Sequence, residues 1–176
     1  MRQIKINSKL KTLSLFTGAG GLDLGFHKAG FDITECVEID KRFCNTLKDN
    51  KKIFGNLKII NKDIRKIQLK ELSKKYDFII GGPPCQSFSA SGKRKGLNDD
   101  RGLLFKSFVM LLKHFKPKGF LFENVRGLLY ANKGKALKEI KNAFEKCGYN
   151  LNVKLLNAAD YGVPQYRERV FLLGSK

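Results

Sequence analysis

Cysteine and histidine are too few and too scattered to build anything together. Four cysteines (Cys36, Cys44, Cys85, Cys147) form no CxxC pair, and neither of the two histidines stands at ligand spacing from them. That excludes a zinc site and a disulfide framework, and points to a reducing, cytoplasmic compartment. The amino-terminal stretch from Met1 to Lys11 is charged and has no apolar core, so no signal peptide or membrane anchor is expected there. Repeats, low-complexity tracts and linkers are also missing. Acidic residues are scarce, 16 against 35 lysines and arginines, for a formal net charge of +19. Such an excess favours a polyanionic partner, most simply nucleic acid. The basic residues are mostly lysines spread along a chain rich in Ile and Asn, and an AT-rich coding sequence would produce the same skew. At 176 residues the chain is expected to form one domain, burying about 70% of its unfolded surface without staples.

Apolar runs alternate with amphipathic segments throughout. Strands are expected at Thr12–Phe16, Asp32–Ile39, Lys58–Ile60, Asp77–Ile80, Gly119–Phe122, Leu151–Leu156 and Arg169–Leu173. Helices are expected at Leu22–Ala29, Lys41–Asn50, Leu69–Lys75, Gly102–Phe115 and Lys135–Cys147. Strands separated by helices of this size imply βαβ units and a parallel sheet, hence an α/β fold.

The most informative stretch is Gly81-Gly82-Pro83-Pro84-Cys85-Gln86-Ser87-Phe88-Ser89, directly after the run Tyr76–Ile80. Two prolines fix φ and push the preceding residue to extended geometry, so Cys85 is mounted on a stiff corner where a strand ends. In open α/β sheets, ligands bind at the carboxyl ends of the strands. A structural cysteine has no need of such a mounting; a nucleophile does.

Phe16-Thr17-Gly18-Ala19-Gly20-Gly21 places glycines between the first strand and a helix, where backbone can approach a ligand closely. A tight structural turn would look the same. The dinucleotide fingerprint GxGxxG fails because its third glycine position is Asp23, which disfavours an NAD-type oxidoreductase. Glu38, about 20 residues on at the next strand's end, could accept both hydroxyls of a ribose. Ile39 could lie against an adenine face, and Asp63 could accept from its amino group. Glu123 and Asn124 close the fifth strand and could simply cap a turn. Arg167 and Arg169, at period two, share one face of an extended segment, which a solvated edge strand would also show.

Together these segments closely resemble the C5-cytosine DNA methyltransferases. Phe16–Gly21, Glu38-Ile39-Asp40, Asp63-Ile64, Pro84–Ser89, Glu123-Asn124-Val125 and Gln165-Tyr166-Arg167-Glu168-Arg169 follow that family's motifs in its order. Ser91-Gly92-Lys93, Asp100-Arg101-Gly102 and Asp160–Gln165 resemble bacterial members, and the resemblance runs from Thr12 to Leu173. It implies a Rossmann-like S-adenosylmethionine-dependent methyltransferase fold, a mostly parallel sheet with a C-terminal antiparallel strand. It implies Cys85 as nucleophile, with Glu123, Arg167 and Arg169 completing the catalytic set. S-adenosyl-L-methionine would contact Phe16, Gly18, Gly20, Gly21, Leu22, Glu38, Ile39, Asp63, Ile64, Pro84 and Leu103. Double-stranded DNA would contact Gln86, Ser89, Ser91, Lys93 and Arg101, with the target base flipped out of the stack and the loop Gln86–Asp100 closing over it. A restriction-modification role is implied. A tRNA-acting branch shares the motifs, and a non-catalytic remnant would keep the fold.

Full-length relatives continue into a target-recognition domain and a final motif, neither of which follows Lys176 here. A split enzyme with a second polypeptide, an interrupted gene and a shortened gene product all fit that pattern. On the resemblance, sequence specificity is expected to need the part supplied elsewhere.

Overall fold

The structure, a computed structural model, describes residues 9–84 and 100–176. The chain divides into two compact units, residues 1–80 and residues 81–176.

The first unit is built on β1 (Lys11–Leu15), β2 (Asp32–Glu38), β3 (Lys58–Asn61) and β4 (Phe78–Gly81). β1 and β3 each pair with β2 in parallel, and β4 neighbours β1 on its other side. In β1 both faces are buried: Leu13 and Leu15 have no exposed surface, and Thr12 and Ser14 are equally enclosed. Burial is unbroken from Thr12 to Leu15 although polar and apolar residues alternate there, because a parallel strand inside a sheet is covered on both faces. α1 (Gly21–Lys28) returns the chain from β1 to β2. Its Phe26 meets Phe31 and Phe78 at centroid distances of 4.8 and 5.8 Å, an aromatic lock between helix and sheet. α2 (Lys41–Asp49) starts where Asp40 caps it, accepting from the Arg42 N–H at 2.8 Å. A further turn, α3 (Lys51–Phe54), follows.

The helix expected at Leu69–Lys75 is only a 3-10 turn at Leu69–Glu71. Side chains claim the backbone there: the Glu71 carboxylate accepts the Gln68 N–H at 2.8 Å. Glu35, buried in β2, takes the Ser73 N–H at 3.2 Å, the Ser73 hydroxyl and the Tyr76 hydroxyl at 2.6 Å. These bonds hold the Glu35 carboxyl below its ordinary titration range although burial pushes the other way.

The second unit contains α4 (Asp100–Phe115), β5 (Gly119–Val125), α5 (Lys135–Glu145), β6 (Asn150–Asn157) and β7 (Glu168–Ser175). β7 runs antiparallel to both β5 and β6, so the C-terminal strand is the reversed one, as expected. Phe105 and Phe108 from α4, Phe120 and Phe122 from β5, and Phe144 from α5 make a ring cluster with centroids 4.5–5.9 Å apart. Each fully buried ring contributes about 1.5–3 kcal/mol through apolar burial. Gly174 of β7 passes so close to Phe120 that a Cβ there would clash with one edge of the ring, 2.6 Å from Cδ1 and Cζ and nearer still to Cε1. The two units are thus α/β in kind, and their strand ends carry the residues of interest.

Candidate active site

In the first unit the chain leaves β1 through a left-handed bend. Phe16 has φ 56°, Gly18 57° and Gly20 86°, and the Phe16 N–H still donates to the Val37 carbonyl at 3.0 Å. Gly20 is the residue this turn cannot replace: a Cβ would stand 2.7 Å from Leu47 Cδ2 and 2.8 Å from Phe54 Cζ. Gly18 and Gly21 differ, since among the described residues a Cβ on either would meet nothing within 4 Å. The described residues thus pack closely against Gly20 and leave Gly18 and Gly21 uncovered.

Glu38 ends β2 with only 7% of its surface exposed. Its carboxylate accepts the Gly18 N–H at 2.7 Å on one oxygen and the Asp40 N–H at 2.8 Å on the other. Each oxygen keeps a lone pair for a further donor, so two vicinal hydroxyls suit it. Beside it Ile39 holds 64% of its surface in the open, an apolar face with no cover among the described residues. Asp63 follows β3 and is engaged by Arg65, which donates its backbone N–H at 2.9 Å and its guanidinium down to 2.6 Å. That pairing holds the Asp63 carboxyl below its ordinary range. Ile64 is buried and serves the core, whereas Phe16 and Leu22 are partly exposed. These residues could hold a nucleoside, since they offer a hydroxyl acceptor, an apolar face left uncovered among the described residues and a glycine turn.

In the second unit Glu123 faces inward from the carboxyl end of β5. Arg169 of β7 stands diagonally across the ladder, opposite Val125, and its Nε lies 3.1 Å from Glu123 Oε1. Burial pushes the Glu123 carboxyl up, Arg169 and then Arg167 pull it back, and the net displacement is upward. A carboxyl so placed can hold a proton nearer neutrality than a surface glutamate. Arg167 itself is exposed; its N–H donates to Asn157 Oδ1 at 3.0 Å, which fixes the backbone at this point. Of the two arginines on one face, Arg169 therefore supports Glu123 directly and Arg167 acts on it from further off.

The stem of the cysteine loop touches the same carboxylate. A Cβ on Gly82 would stand 2.7 Å from Glu123 Oε2, so a larger residue there would displace the end of the Glu123 side chain. Asn124, almost fully buried, donates from Nδ2 to the Pro83 carbonyl at 3.2 Å and accepts the Val125 N–H at 2.9 Å. It ties β5 to the residue two before Cys85, where sequence suggested no more than a cap. Gly82 was legible as part of a glycine pair, but its tertiary partner was not. A second pin on the arginine segment is Glu168, bonded to Arg126 at 2.6 Å.

Cys85, Gln86, Ser89, Ser91 and Lys93 lie outside the described residues, as does the Arg101 side chain. Pro84 and Leu103 are both exposed. The other three cysteines are poor nucleophiles. Burial pushes the Cys36 thiol up to about 12 and raises Cys44 and Cys147 as well, which keeps all three protonated. Among the described residues there is no cluster of His, Cys, Asp or Glu able to hold a metal ion, and no helix long and apolar enough to cross a membrane.

The family model for C-5 cytosine-specific DNA methylases matches residues 10–176. The Type II methyltransferase M.FnuDI of Fusobacterium nucleatum is 53% identical over 165 residues, covering 94% of this chain and 46% of that protein. M.AquIA of a Picosynechococcus strain, also a Type II methyltransferase, is 44% identical and is covered to 72% of its length. The crystal structure of Spodoptera frugiperda DNMT2 aligns with a TM-score of 0.76 at 26% identity, over 96% of this chain and 50% of that one. The chain thus spans about half the length of the Fusobacterium relative and more of the Picosynechococcus one. With the model matched from the first strand to the last, the chain belongs to the C-5 cytosine-specific DNA methylase family.

Proposed function

We propose that this chain is the catalytic and cofactor-binding part of a DNA (cytosine-5-)-methyltransferase, acting on double-stranded DNA in the cytoplasm within a restriction-modification system. The observation that carries the proposal is Glu123: a half-buried carboxyl with a raised titration point, braced by Arg169 and touched by the stem that leads to Cys85. Cytosine C5 is a poor nucleophile until something adds to C6. The Cys85 thiolate adds there, breaking the ring's 5,6 double bond and moving an electron pair toward C5. Glu123, protonated, donates to N3 as negative charge builds on the ring, and Arg169 steadies the carboxylate left behind. Arg167 favours the thiolate and orients the base. After C5 has gained its methyl group, a solvent base takes the C5 proton, the returning electron pair expels Cys85 as thiolate, and the N3 proton goes back to the Glu123 carboxylate.

S-adenosyl-L-methionine, when bound, supplies the electrophilic methyl group. Glu38 would hold its ribose hydroxyls, Ile39 would cover its adenine, and Gly18, Gly20 and Gly21 would let it approach the backbone. Phe16, Leu22, Asp63, Pro84 and Leu103 would complete that set, with Ile64 backing it from the core. Asp63 must then accept the adenine amino group alongside or in place of Arg65. DNA contacts are assigned to Gln86, Ser89, Ser91, Lys93 and Arg101. The net charge of +19 suits phosphate contacts, which supply affinity without sequence information. Base-edge recognition is assigned to residues beyond these 176, in the same polypeptide or a second one. The coverage of about half the Fusobacterium relative supports that assignment.

The test is transfer of a tritiated methyl group from S-adenosylmethionine to several DNAs, by the purified chain with and without a recognition polypeptide from its own locus. Sequence-specific 5-methylcytosine with the second polypeptide, lost on Cys85→Ser, is the expected result. Absence of transfer under every condition would overturn the proposal in favour of a remnant. Transfer only to tRNA would reassign the substrate.

A further inference from the structure

We propose that Asn61 is a positioning residue for the nucleoside end of the cofactor, fixing the Glu38–Ile39 corner through two hydrogen bonds from one carboxamide; the inference rests on the S-adenosylmethionine assignment above. Asn61 is the last residue of β3 and lies opposite Glu38 in the parallel register. Its Nδ2 donates to the Glu38 carbonyl at 3.0 Å and to the Ile39 carbonyl at 2.9 Å. Both hydrogens of the amide are thereby used on two consecutive peptide units. Regular pairing ends at this point, because after Glu38 the chain turns away through Ile39 and Asp40 to start α2. A side chain with two donors on one nitrogen can follow the backbone past the end of the ladder. Aspartate, of the same shape, offers only acceptors when ionised, and alanine offers nothing.

The two bonds do unequal work. The Glu38 carbonyl also receives the Lys62 N–H at 3.0 Å and the Cys44 thiol at 3.6 Å, and the Glu38 carboxylate is held separately by Gly18 and Asp40. Glu38 would therefore stay near its place without Asn61. Ile39 is the more dependent residue: its side chain is 64% exposed and so has little packing to hold it. Losing Asn61 frees the Ile39–Asp40 peptide to rotate. That motion misaligns the apolar face meant for the base and the Asp40 N–H that steadies Glu38. Asn61 touches no ligand in this scheme; it acts through Glu38 and Ile39.

Asn61→Ala and Asn61→Asp would be titrated by calorimetry with S-adenosylmethionine, S-adenosylhomocysteine and adenosine, with thermal melting measured alongside. Asn61→Ala should weaken all three ligands by about the same factor, on the order of five- to tenfold for a lost hydrogen bond, with little change in melting. A common factor places the defect at the nucleoside end. Asn61→Asp should bind less well still at neutral pH, because a carboxylate then faces two carbonyl oxygens. It should regain affinity as the pH is lowered and the protonated carboxyl gains an O–H donor, a pH profile that a residue serving only the fold would not produce. Binding within twofold of native for Asn61→Ala, or losses that merely follow unfolding, would overturn the positioning role. If the native chain bound none of the three ligands, the cofactor assignment itself would fall. Hydrogen exchange of the unliganded chain separates the two failures. Asn61→Ala should speed exchange at the Asp40 N–H, and an unchanged rate would overturn the role independently of any ligand.

Discussion

Asp23 makes a sharp quantitative test of the physical account. It lies in the first turn of α1 with no exposed surface, and neither carboxyl oxygen has a hydrogen bond of acceptable geometry among the described residues. Burial raises the carboxyl from an ordinary 3.8 to about 6, with the Ser14 hydroxyl and its own amide offsetting burial only in part. A group whose native titration point is raised favours the fold when protonated. Its contribution is therefore fully present below about pH 3.8 and is lost as the pH rises through about 6. At 1.36 kcal/mol for each pH unit, the ionised form costs about 3 kcal/mol at neutrality. Asp23→Asn keeps the shape and removes the charge. Its own unsatisfied amide adds a penalty of about 1–3 kcal/mol, but one that does not change with pH. Urea unfolding of both chains between pH 3.5 and 8 isolates the pH-dependent part, since every other titrating group cancels in the difference. The Asp23→Asn chain should gain about 3 kcal/mol on the native one across that range, with most of the change between pH 4 and 6. A difference flat to within about 0.5 kcal/mol, or one growing toward acid, would refute the idea that this carboxyl is buried uncompensated.

Glu38→Ala should weaken S-adenosylmethionine by about 1–3 kcal/mol by calorimetry, the range for removing the partner of buried hydroxyls. Equal affinity would reduce Glu38 to a brace for the glycine turn. Glu123→Gln should lower the methylation rate by about 10²–10⁴ with DNA affinity little changed, since the amide cannot deliver a proton to N3. A rate near native in a single-turnover assay would remove the acid role. Gly174→Ala should destabilise the chain by about 1–3 kcal/mol in denaturant unfolding, because the added methyl has no room beside Phe120. Native-like stability would mean that the aromatic cluster yields more readily than its packing indicates.

Elements that follow from local chemistry were legible before the structure. β2, α2, α4 and β7 were each placed to within a few residues, because apolar periodicity and capping act over short ranges. The shortened helix at Leu69–Glu71 was not, since Glu35, 38 residues before Ser73, takes that residue's backbone N–H and hydroxyl. The candidate site divides the same way. The glycine turn and Glu38 could be read from spacing, and Glu123 from its place at a strand end. The roles of Asn61, Gly82 and Asn124 could not, because each depends on a neighbour brought in by strand pairing or loop return. For Asp63 the sequence suggests an acceptor for an adenine amino group; its engagement by Arg65, two residues on, follows from local geometry that composition does not disclose.

The most direct test of the central claim is where the chain becomes covalently joined to DNA. In a preparation that shows methyl incorporation, duplex carrying 5-fluorocytosine at the target base would be supplied with S-adenosylmethionine. Fluorine cannot leave C5 as a proton does, so the adduct at C6 persists and can be mapped by peptide mass spectrometry. The account predicts a nucleotide on the peptide containing Cys85, and none with the Cys85→Ser chain. An adduct on Cys36, Cys44 or Cys147, or methyl transfer that continues in the Cys85→Ser chain, would contradict it.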